Sequence, residues 1–174
     1  MVPGVELEDL VSLPEGYRYD LHDGNLVVGE QSNFWHKMMC ARLLLTLHAA
    51  GLDVLQDTGI RGDRPRDCRH PDIGVMISRP ANSADYSYLP GSAFRLVIEI
   101  VSEESASVDY GDKALWYAER GIPEYWIVDR TPERSHDDAL VHLHRLTLAG
   151  GKPAYARERT VRLSDLEAEY RSRQ

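Results

Sequence analysis

The sequence lacks an excess of basic residues. It contains 20 lysine and arginine residues against 28 aspartate and glutamate residues, which gives a formal net charge of −8. A protein that coats nucleic acid through a general basic field carries the opposite balance, so this class is excluded. A basic groove confined to one part of the surface is still compatible with the composition.

Cysteines and long apolar runs are also scarce. Cys40 and Cys68 show neither metal-ligand nor disulfide spacing, which favours the reducing cytoplasm. No apolar run approaches the ~18 residues of a membrane-spanning helix. The first residues carry neither a basic region nor an apolar stretch, so we expect no signal peptide.

The chain has the size and composition of one globular domain. Its 174 residues are 43% hydrophobic and 28% charged, which is enough for a single sizeable core. Because neither an internal repeat nor a linker interrupts the sequence, we expect one domain over residues 1–174.

The central feature of the sequence is a short apolar run that contains one acid. Residues 96–101 read Leu-Val-Ile-Glu-Ile-Val and predict a buried β-strand, with Glu99 near its middle. A buried carboxylate without a partner costs several kcal/mol, so we expect a cation beside Glu99, either a side chain or a metal ion. Two simpler alternatives are a Glu99 at the exposed end of the strand and a Glu99 satisfied by Arg95.

The N-terminal third predicts a hairpin followed by a helix. Asp23-Gly24, between apolar segments at 17–21 and 25–28, is a strong hairpin signal. A helix is predicted from Ser32, as the N-cap, to Ala50. Its mostly buried stripe is expected at Phe34, Met38, Ala41 and Leu45, widened by Trp35, Met39 and Leu43.

The rest of the chain alternates strand and helix patterns. We predict strands at 53–57 and 73–77, a long loop at 79–94, the central strand at 95–101, a helix from Ser107 to Arg120, a strand at 124–129, a hairpin of strands at 139–148 and 154–162, and a terminal helix from Ser164. The strand–helix–strand order from 95 to 129 indicates a parallel pair joined by a right-handed crossover. The sum is an α/β fold.

Asp72 and Glu99 are the candidate metal ligands. Asp72 immediately precedes a predicted strand, and Glu99 lies in the strand expected beside it. Two neighbouring carboxylates repel unless a cation lies between them, and Mg²⁺ or Mn²⁺ prefers such oxygen ligands. Lys113, on the next helix, is placed to orient a water that attacks a phosphodiester. Its simpler interpretation is an exposed partner of Asp109.

These residues resemble the PD-(D/E)xK nuclease superfamily, in which Pro-Asp is followed by a strand with a second acid. They are most similar to a bacterial branch, a family of putative restriction endonucleases formerly filed as a domain of unknown function. The branch's order is met here by Glu99, Ser102, Asp109, Lys113, Tyr117, Gly121, Glu124-Tyr125-Trp126 and Asp129. Tyr19-Asp20-Leu21, Asp23-Gly24 and His36 also resemble its N-terminal part. The resemblance covers about residues 15–165.

The resemblance implies a restriction-endonuclease-like fold, a mixed β-sheet flanked by helices with an N-terminal and a C-terminal hairpin. It also implies a Mg²⁺- or Mn²⁺-dependent endonuclease that hydrolyses DNA. Asp72 and Glu99 would hold the metal, Lys113 would assist the water, and Asp20 would supply a further carboxylate. The alternative for Asp20 is a plain hairpin residue.

The sequence departs from the family pattern at two places. The superfamily lysine normally follows the acid by two residues, a position that Val101 occupies here, so the resemblance assigns that role to Lys113. Residues 102–105, Ser-Glu-Glu-Ser, replace the branch's usual Ser-Pro-Ser-Thr. Two added acids beside a DNA-facing site weaken phosphate contacts.

Basic and aromatic residues around Asp72 are candidate substrate contacts. The segment before Asp72 contains four arginines that are placed to bind phosphates, Arg61, Arg64, Arg66 and Arg69. A solvated loop of mixed charge is the alternative. Base stacking or simple packing of the loop is open for Tyr86, Tyr88 and Phe94.

Three histidines carry weaker signals. His36 is a further candidate for substrate contact, with a local hydrogen bond as the alternative. His142 and His144 share one face of a predicted strand, ~7 Å apart. Because two histidines without a third ligand do not make a zinc site, we interpret them as surface residues.

Two other function classes remain open at this point. One is a non-catalytic module that binds nucleic acid or protein on a nuclease fold, and the other is a hydrolase of smaller phosphoesters. A nuclease that cuts both strands of a duplex commonly acts as a two-fold dimer. We therefore expect a homodimer, assembled through the hairpin at 139–162.

Overall fold

The computed structural model describes residues 4–15, 17–29, 32–81, 88–101 and 109–173. Their strands are β1 (Tyr19–His22), β2 (Asn25–Val28), β3 (Val54–Gln56), β4 (Gly59–Arg61), β5 (Cys68–Arg69), β6 (Ile73–Met76), β7 (Tyr88–Pro90), β8 (Phe94–Ile100), β9 (Glu124–Arg130), β10 (Ala139–Ala149) and β11 (Lys152–Arg162). Their α-helices are α1 (Phe34–Ala49), α2 (Ala114–Glu119) and α3 (Leu163–Arg171). Short 3-10 helices cover Leu7–Ser12 and Gly91–Ala93.

The larger sheet has six strands in the order β11-β10-β9-β8-β6-β3. Its strands pair antiparallel except for β8 and β9, which run parallel, with Ile98 opposite Trp126. Helix α2 makes the crossover between them, as the strand–helix–strand pattern predicted. The central strand β8 is buried along its whole length except at Arg95. The predicted α/β fold class is confirmed.

A second sheet of five strands, in the order β2-β1-β5-β4-β7, was not predicted as a separate sheet. The N-terminal hairpin β1-β2 is present, and Asp23 and Gly24 turn the chain with positive φ angles of 52° and 84°. Strands β4, β5 and β7 lie in segments that the sequence indicated as loops. They contain two or three residues each, which is too short for an alternating pattern to show.

The two faces of the larger sheet pack against different helices. Helices α1 and α3 cover one face, in a core that includes Trp35, Leu43 and Ile98. Helix α2 covers the other face, where Val97 and Tyr117 belong to a second core. A small third core of Leu10, Leu21 and Cys68 lies beneath the five-stranded sheet.

The buried face of α1 is not the one predicted. Phe34 is 80% exposed and Leu45 is 70% exposed. The buried residues are instead Trp35, Met39, Cys40, Leu43 and Leu47. Because this helix is apolar on several sides, its periodicity does not select one stripe, and contact with the sheet decides.

The ends of α1 also differ in part from the prediction. The N-cap is Asn33 rather than Ser32, because the Asn33 side chain accepts a hydrogen bond from the backbone N–H of His36. Gly51 follows the last turn with a φ of +78°, a conformation that glycine adopts without strain. The predicted glycine stop is therefore confirmed.

The predicted helix from Ser107 to Arg120 is shorter and less regular than expected. A π-helical turn over Asp109–Lys113 leads into α2. The first two predicted residues lie outside the described part of the chain. Turns of this kind are rare and often occur at functional sites, and this one ends at Lys113.

The C-terminal hairpin and helix are confirmed. Strands β10 and β11 pair along their length, with an irregularity at Leu143 and His144, and Gly150 and Gly151 connect them. In the part of the chain that the structure describes, no helix has the length and apolar character needed to cross a membrane.

Candidate active site

Glu99 is the last residue but one of the central strand β8 and is 1% exposed. Its Oε2 accepts a hydrogen bond from the Lys113 Nζ at 3.0 Å, and its Oε1 accepts one from the Tyr117 hydroxyl at 2.7 Å. Arg95 lies instead 3.8 Å from Glu124. The buried acid therefore has its cation from the following helical segment rather than from its own strand.

Lys113 is held inside the molecule. Its side chain is 11% exposed, and its ammonium forms the ion pair with Glu99. The exposed-face interpretation of Lys113 is therefore wrong. The π-helical turn at the start of the crossover carries the lysine to the end of β8, while Tyr117, one turn further, reaches the same carboxylate.

Asp72 is the second buried carboxylate, with a side chain 4% exposed. Its Oδ2 accepts the backbone N–H of Ile100 at 2.7 Å and lies 3.1 Å from His36 Nε2. Its Oδ1 accepts a hydrogen bond from Arg18 at 2.6 Å. The Asp72 carboxylate thus accepts the Ile100 N–H, a hydrogen bond that a backbone carbonyl would accept if β6 were longer.

The strand register brings Asp72 and Glu99 together. Ile73 of β6 lies opposite Ile98 of β8 in antiparallel pairing. One further step of this register places Asp72 opposite Glu99, and such opposed residues have Cα atoms ~4.5–5.5 Å apart. Neighbouring strands thus supply both acids at one end of the sheet, as the sequence predicted.

Asp20 lies near this pair but has its own partner. The residue is 8% exposed, and its Oδ1 accepts the backbone N–H of His70 at 2.9 Å and lies 3.0 Å from His70 Nδ1. The His70 ring in turn meets the Tyr88 ring edge-on, with centroids 5.4 Å apart. The five-stranded sheet thus delivers a third buried carboxylate to the edge of the site.

The charges of these groups act on one another. Burial alone lowers the pKa of the Arg18 guanidinium, but the negative charges of Asp72, Glu99 and Asp20 outweigh burial and raise it. Burial raises the pKa of Asp72, whereas hydrogen bonding and charge from His36, followed by the charge of Arg18, hold it below its usual range. Three carboxylates thus face two basic side chains, Arg18 and Lys113, and two histidines, His36 and His70.

Tyr117 is a hydrogen-bond donor at this site over the whole physiological range. Burial, followed by the charge of Glu99, raises the pKa of its hydroxyl well above the ordinary value. The hydroxyl therefore stays protonated and fixes one oxygen of the Glu99 carboxylate.

The carboxylate oxygens of Asp72 and Glu99 are the type of ligand that Mg²⁺ and Mn²⁺ prefer. Mg²⁺ is usually bound through one or two carboxylates and keeps several waters, and Asp72 and Glu99 supply two. Among the described residues, no group of three or more histidine, cysteine, aspartate and glutamate side chains is arranged to hold a metal. Asp20 is therefore not gathered with the other two acids as a third ligand.

Three of the four candidate arginines are paired with acids of the same chain. Arg64 lies 3.0 Å from Asp23 and Arg66 lies 3.1 Å from Glu6, both at the surface. Arg69 is 8% exposed and lies 2.9 Å from Asp67. Arg61 is exposed and makes no ion pair within the described ranges. The segment is a charge-paired loop with two short strands.

Asp67 also binds the crossover helix. Its Oδ2 accepts hydrogen bonds from the Trp116 indole at 2.7 Å and from Arg120 at 2.8 Å. The Trp116 ring is contacted by both guanidinium groups, with Arg120 at 3.6 Å and Arg69 at 5.0 Å from its centroid. We call Asp67, Arg69, Trp116 and Arg120 the clamp cluster, since it fastens the five-stranded sheet to α2.

The histidine and aromatic candidates are placed as follows. His36 binds Asp72 across the fold, so the local hydrogen bond offered as its alternative is not what occupies its ring. His142 is 9% exposed and its Nδ1 lies 2.8 Å from the Thr160 hydroxyl, so its assignment to the surface was wrong. His144 Nδ1 lies 3.0 Å from the carbonyl of His142.

Phe94 is fully buried and its ring closes over Gly74, so it packs the core and is not exposed to bases. Tyr88 packs on His70. Tyr86 and residues 102–105, with the two added acids, lie outside the described part of the chain.

Sequence reasoning missed Arg18 and His70, and it did not assign a partner to Tyr117. Arg18 precedes Asp20 by two residues, and alternation along an extended chain places such residues on one side. That spacing, together with the need of Asp72 for a cation, is the signal from which Arg18 could have been predicted. His70 has no comparable signal, since its partner is 50 residues away.

Comparisons with known proteins agree with this architecture. The chain matches the model of a family described as Uma2, putative restriction endonuclease, over residues 6–170. Among solved structures it is similar to a putative nuclease belonging to DUF820 from Anabaena variabilis, with 15% identity and a TM-score of 0.66 over 95% of this chain and 99% of the other. That likeness shows a shared fold. None of the proteins with curated descriptions matches. Because the family match spans nearly the whole chain, the protein belongs to the Uma2 family of putative restriction endonucleases.

Proposed function

We propose that the protein is a divalent-metal-dependent nuclease that hydrolyses phosphodiester bonds of DNA. The observation that carries the proposal is the pair of buried acids, Asp72 and Glu99, on adjacent strands with Lys113 bound to the second acid. Membership in a family of putative restriction endonucleases supports DNA as the substrate.

Asp72 and Glu99 would hold the metal ion. Bound there, a Mg²⁺ or Mn²⁺ ion polarises a phosphoryl oxygen and lowers the pKa of a coordinated water. The protein supplies the rigid frame: Ile100 and His36 fix Asp72, and Tyr117 fixes Glu99. Carboxylates held in this way need little reorganisation when the ligand binds.

Lys113 would act on the reacting phosphate. Its ammonium is fixed 3.0 Å from Glu99 Oε2, at the end of the sheet where the two acids lie. From there Nζ orients the attacking water and stabilises negative charge on the phosphorus oxygens in the transition state. The low exposure of the lysine strengthens this electrostatic effect.

The test is cleavage of plasmid and single-stranded DNA with Mg²⁺ or Mn²⁺. Glu99→Gln, Asp72→Asn and Lys113→Met should each lower the rate on the order of 10²-fold or more. Glu158→Gln is the matched control, since Glu158 is exposed and pairs with Arg145 away from the site. Equal cleavage by wild type and Glu99→Gln would refute the assignment.

Calorimetric titration with Mn²⁺ tests the metal site independently of cleavage. Wild type and Glu158→Gln should bind the ion, and Glu99→Gln should bind it far more weakly. A protein without Mn²⁺ binding would fit the non-catalytic module.

A second candidate function is hydrolysis of small phosphoesters. The observation that favours it is the pairing of Arg64, Arg66 and Arg69 with acids, which leaves few groups for a long phosphate backbone. Hydrolysis of a small aryl phosphodiester without cleavage of either DNA would support this candidate over the first.

We also propose a two-fold homodimer that forms through the C-terminal hairpin. Strand β11 is the outer strand of the six-stranded sheet, so its free edge is open to pairing. Sedimentation that detects only monomer at tens of micromolar would refute it.

A further inference from the structure

Arg18 stands between a buried and an exposed carboxylate. Its Nη1 is 2.6 Å from Asp72 Oδ1 and 3.6 Å from Asp57 Oδ1. The Asp72 side chain is 4% exposed, whereas that of Asp57 is 58% exposed. The guanidinium group therefore has one partner inside the site and another at its entrance.

Arg18 is also the more accessible of the two permanent cations at the site. Its side chain is 29% exposed, against 11% for Lys113. Both of its ion-pair contacts use Nη1, and within the described residues neither Nη2 nor Nε has a hydrogen-bond acceptor. A planar group with donors to spare is suited to bind a phosphate through two parallel hydrogen bonds.

The present partner of Arg18 is the carboxylate that the proposed metal would need. A divalent ion on Asp72 and Glu99 would lie beside the guanidinium, and like charges at that distance repel. The ion would also compete with the guanidinium for the Asp72 carboxylate, which Arg18 now binds through Oδ1. Binding of the ion therefore favours movement of Arg18 toward Asp57, on the solvent side.

We propose that Arg18 holds Asp72 while the site is metal-free and that, once a divalent ion takes this carboxylate, Arg18 turns outward and binds the phosphate being cleaved. This assignment rests on the proposed nuclease function and adds a phosphate-binding residue to it. The same guanidinium group thus holds Asp72 before the metal ion binds and holds the phosphate afterwards.

The decisive variant is Arg18→Met, because two measurements should move in opposite directions. In calorimetric titrations the dissociation constant for Mn²⁺ should fall about tenfold, since a competing cation is gone. Cleavage of plasmid DNA should fall about 10²-fold, since the phosphate contact is gone. An arginine that merely keeps Asp72 in place would weaken both, and that result overturns the proposal.

Arg18→Lys keeps the test valid if Arg18→Met does not fold. It preserves the charge and removes the planar fork, so the Mn²⁺ dissociation constant should stay within about twofold of wild type. Cleavage should still fall about tenfold, because a lysine binds phosphate through a single point. Wild-type cleavage by Arg18→Lys overturns the proposal.

Arg95→Met is the control. Arg95 is exposed and lies 3.8 Å from Glu124, outside the site, so neither measurement should change.

The outcomes separate this proposal from the nuclease assignment. If wild type and all variants fail to bind Mn²⁺, the metal site itself is refuted and the role of Arg18 with it. If wild type binds Mn²⁺ and Arg18→Met binds it no more tightly, only the role of Arg18 is refuted. If Arg18→Met binds Mn²⁺ and wild type does not, the result supports the proposed competition between Arg18 and the ion.

Discussion

Two groups of buried charges lie close together in this protein, and they differ in the number of their acids. Around Asp72 and Glu99, three carboxylates have Arg18, Lys113 and two histidines, His36 and His70, as partners. In the clamp cluster, the single carboxylate of Asp67 binds both Arg69 and Arg120. Both groups use helix α2 or the turn before it, so the same segment carries the proposed catalytic cluster and the clamp cluster.

The partners inside each cluster explain why only the first is proposed to bind a metal ion. Both oxygens of Asp67 are occupied, and Trp116 lies between the two guanidinium groups as an additional partner. Each oxygen of Asp67 is therefore satisfied inside the clamp cluster, although Arg120 Nε is buried without a hydrogen-bond partner. Around Glu99, two of the three acids have a histidine as a partner, and a group of neighbouring carboxylates favours binding of a cation.

The largest effect is expected from Asp67→Asn. It leaves two buried guanidinium groups without their counter-charge, so the free energy of unfolding should fall by about 3–5 kcal/mol. Urea denaturation measures this loss. Asp63→Asn is the control, because the Asp63 side chain is 88% exposed and lies 3.9 Å from Arg120. A loss equal to that of the control would contradict the structural role of the clamp.

A smaller effect is expected from acid titration of Asp72. Burial alone raises the pKa of this carboxyl, but His36 and then Arg18 lower it below the value of an unfolded chain. Its stabilising contribution is therefore complete above about pH 4 and is lost as the pH falls toward the lower folded value. Between pH 4 and 2, wild type should lose on the order of 2 kcal/mol more than Asp72→Asn in urea denaturation. Parallel losses would refute the charge assignment.

Trp116→Phe should reduce the free energy of unfolding by about 1–2 kcal/mol, because it removes the indole hydrogen bond to Asp67 and weakens the stacking with Arg120. The same denaturation experiment measures this change. An unchanged midpoint would show that the two arginines hold Asp67 without the ring.

The smallest effect on stability is expected from Glu99→Gln. Lys113 keeps the nearby charge of Asp20, and the substitution removes the repulsion between the Glu99 and Asp72 carboxylates, so the free energy of unfolding should change by no more than about 1 kcal/mol. Thermal unfolding measures this change in stability, and the cleavage assay measures the loss of activity in the same variant. If Glu99→Gln lowers the free energy of unfolding as much as Asp67→Asn does, both clusters stabilise the fold to the same extent, and the comparison between them fails.

The sequence predicted the larger sheet well because four of its six strands are long and clear turns connect several of them. Residues 95–101 and 124–129 became the parallel pair β8 and β9, and Asp23-Gly24 and Gly150-Gly151 became hairpin turns. Strands β4, β5 and β7 escaped prediction, since residues 59–61, 68–69 and 88–90 are too short to show a period.

The candidate site was only partly predictable. Asp72, Glu99 and Lys113 were predicted to act together because an acid in an apolar strand needs a partner, and the structure brings the lysine to Glu99. The arginine segment looked like a phosphate-binding loop, but the identity of its partners depends on where Glu6, Asp23 and Asp67 fold. Local sequence contains no information on contacts of that range.

The sequence by itself determined that this chain buries one acid in an apolar ribbon, since six apolar-rich residues with Glu99 among them permit little else. Tertiary structure alone decided that Arg18 and His36 hold Asp72 and that three of the four arginines at 61–69 are paired with acids. The physical reason is distance: burial follows from neighbours along the chain, whereas an ion pair is chosen from whatever charges the fold brings within about 4 Å.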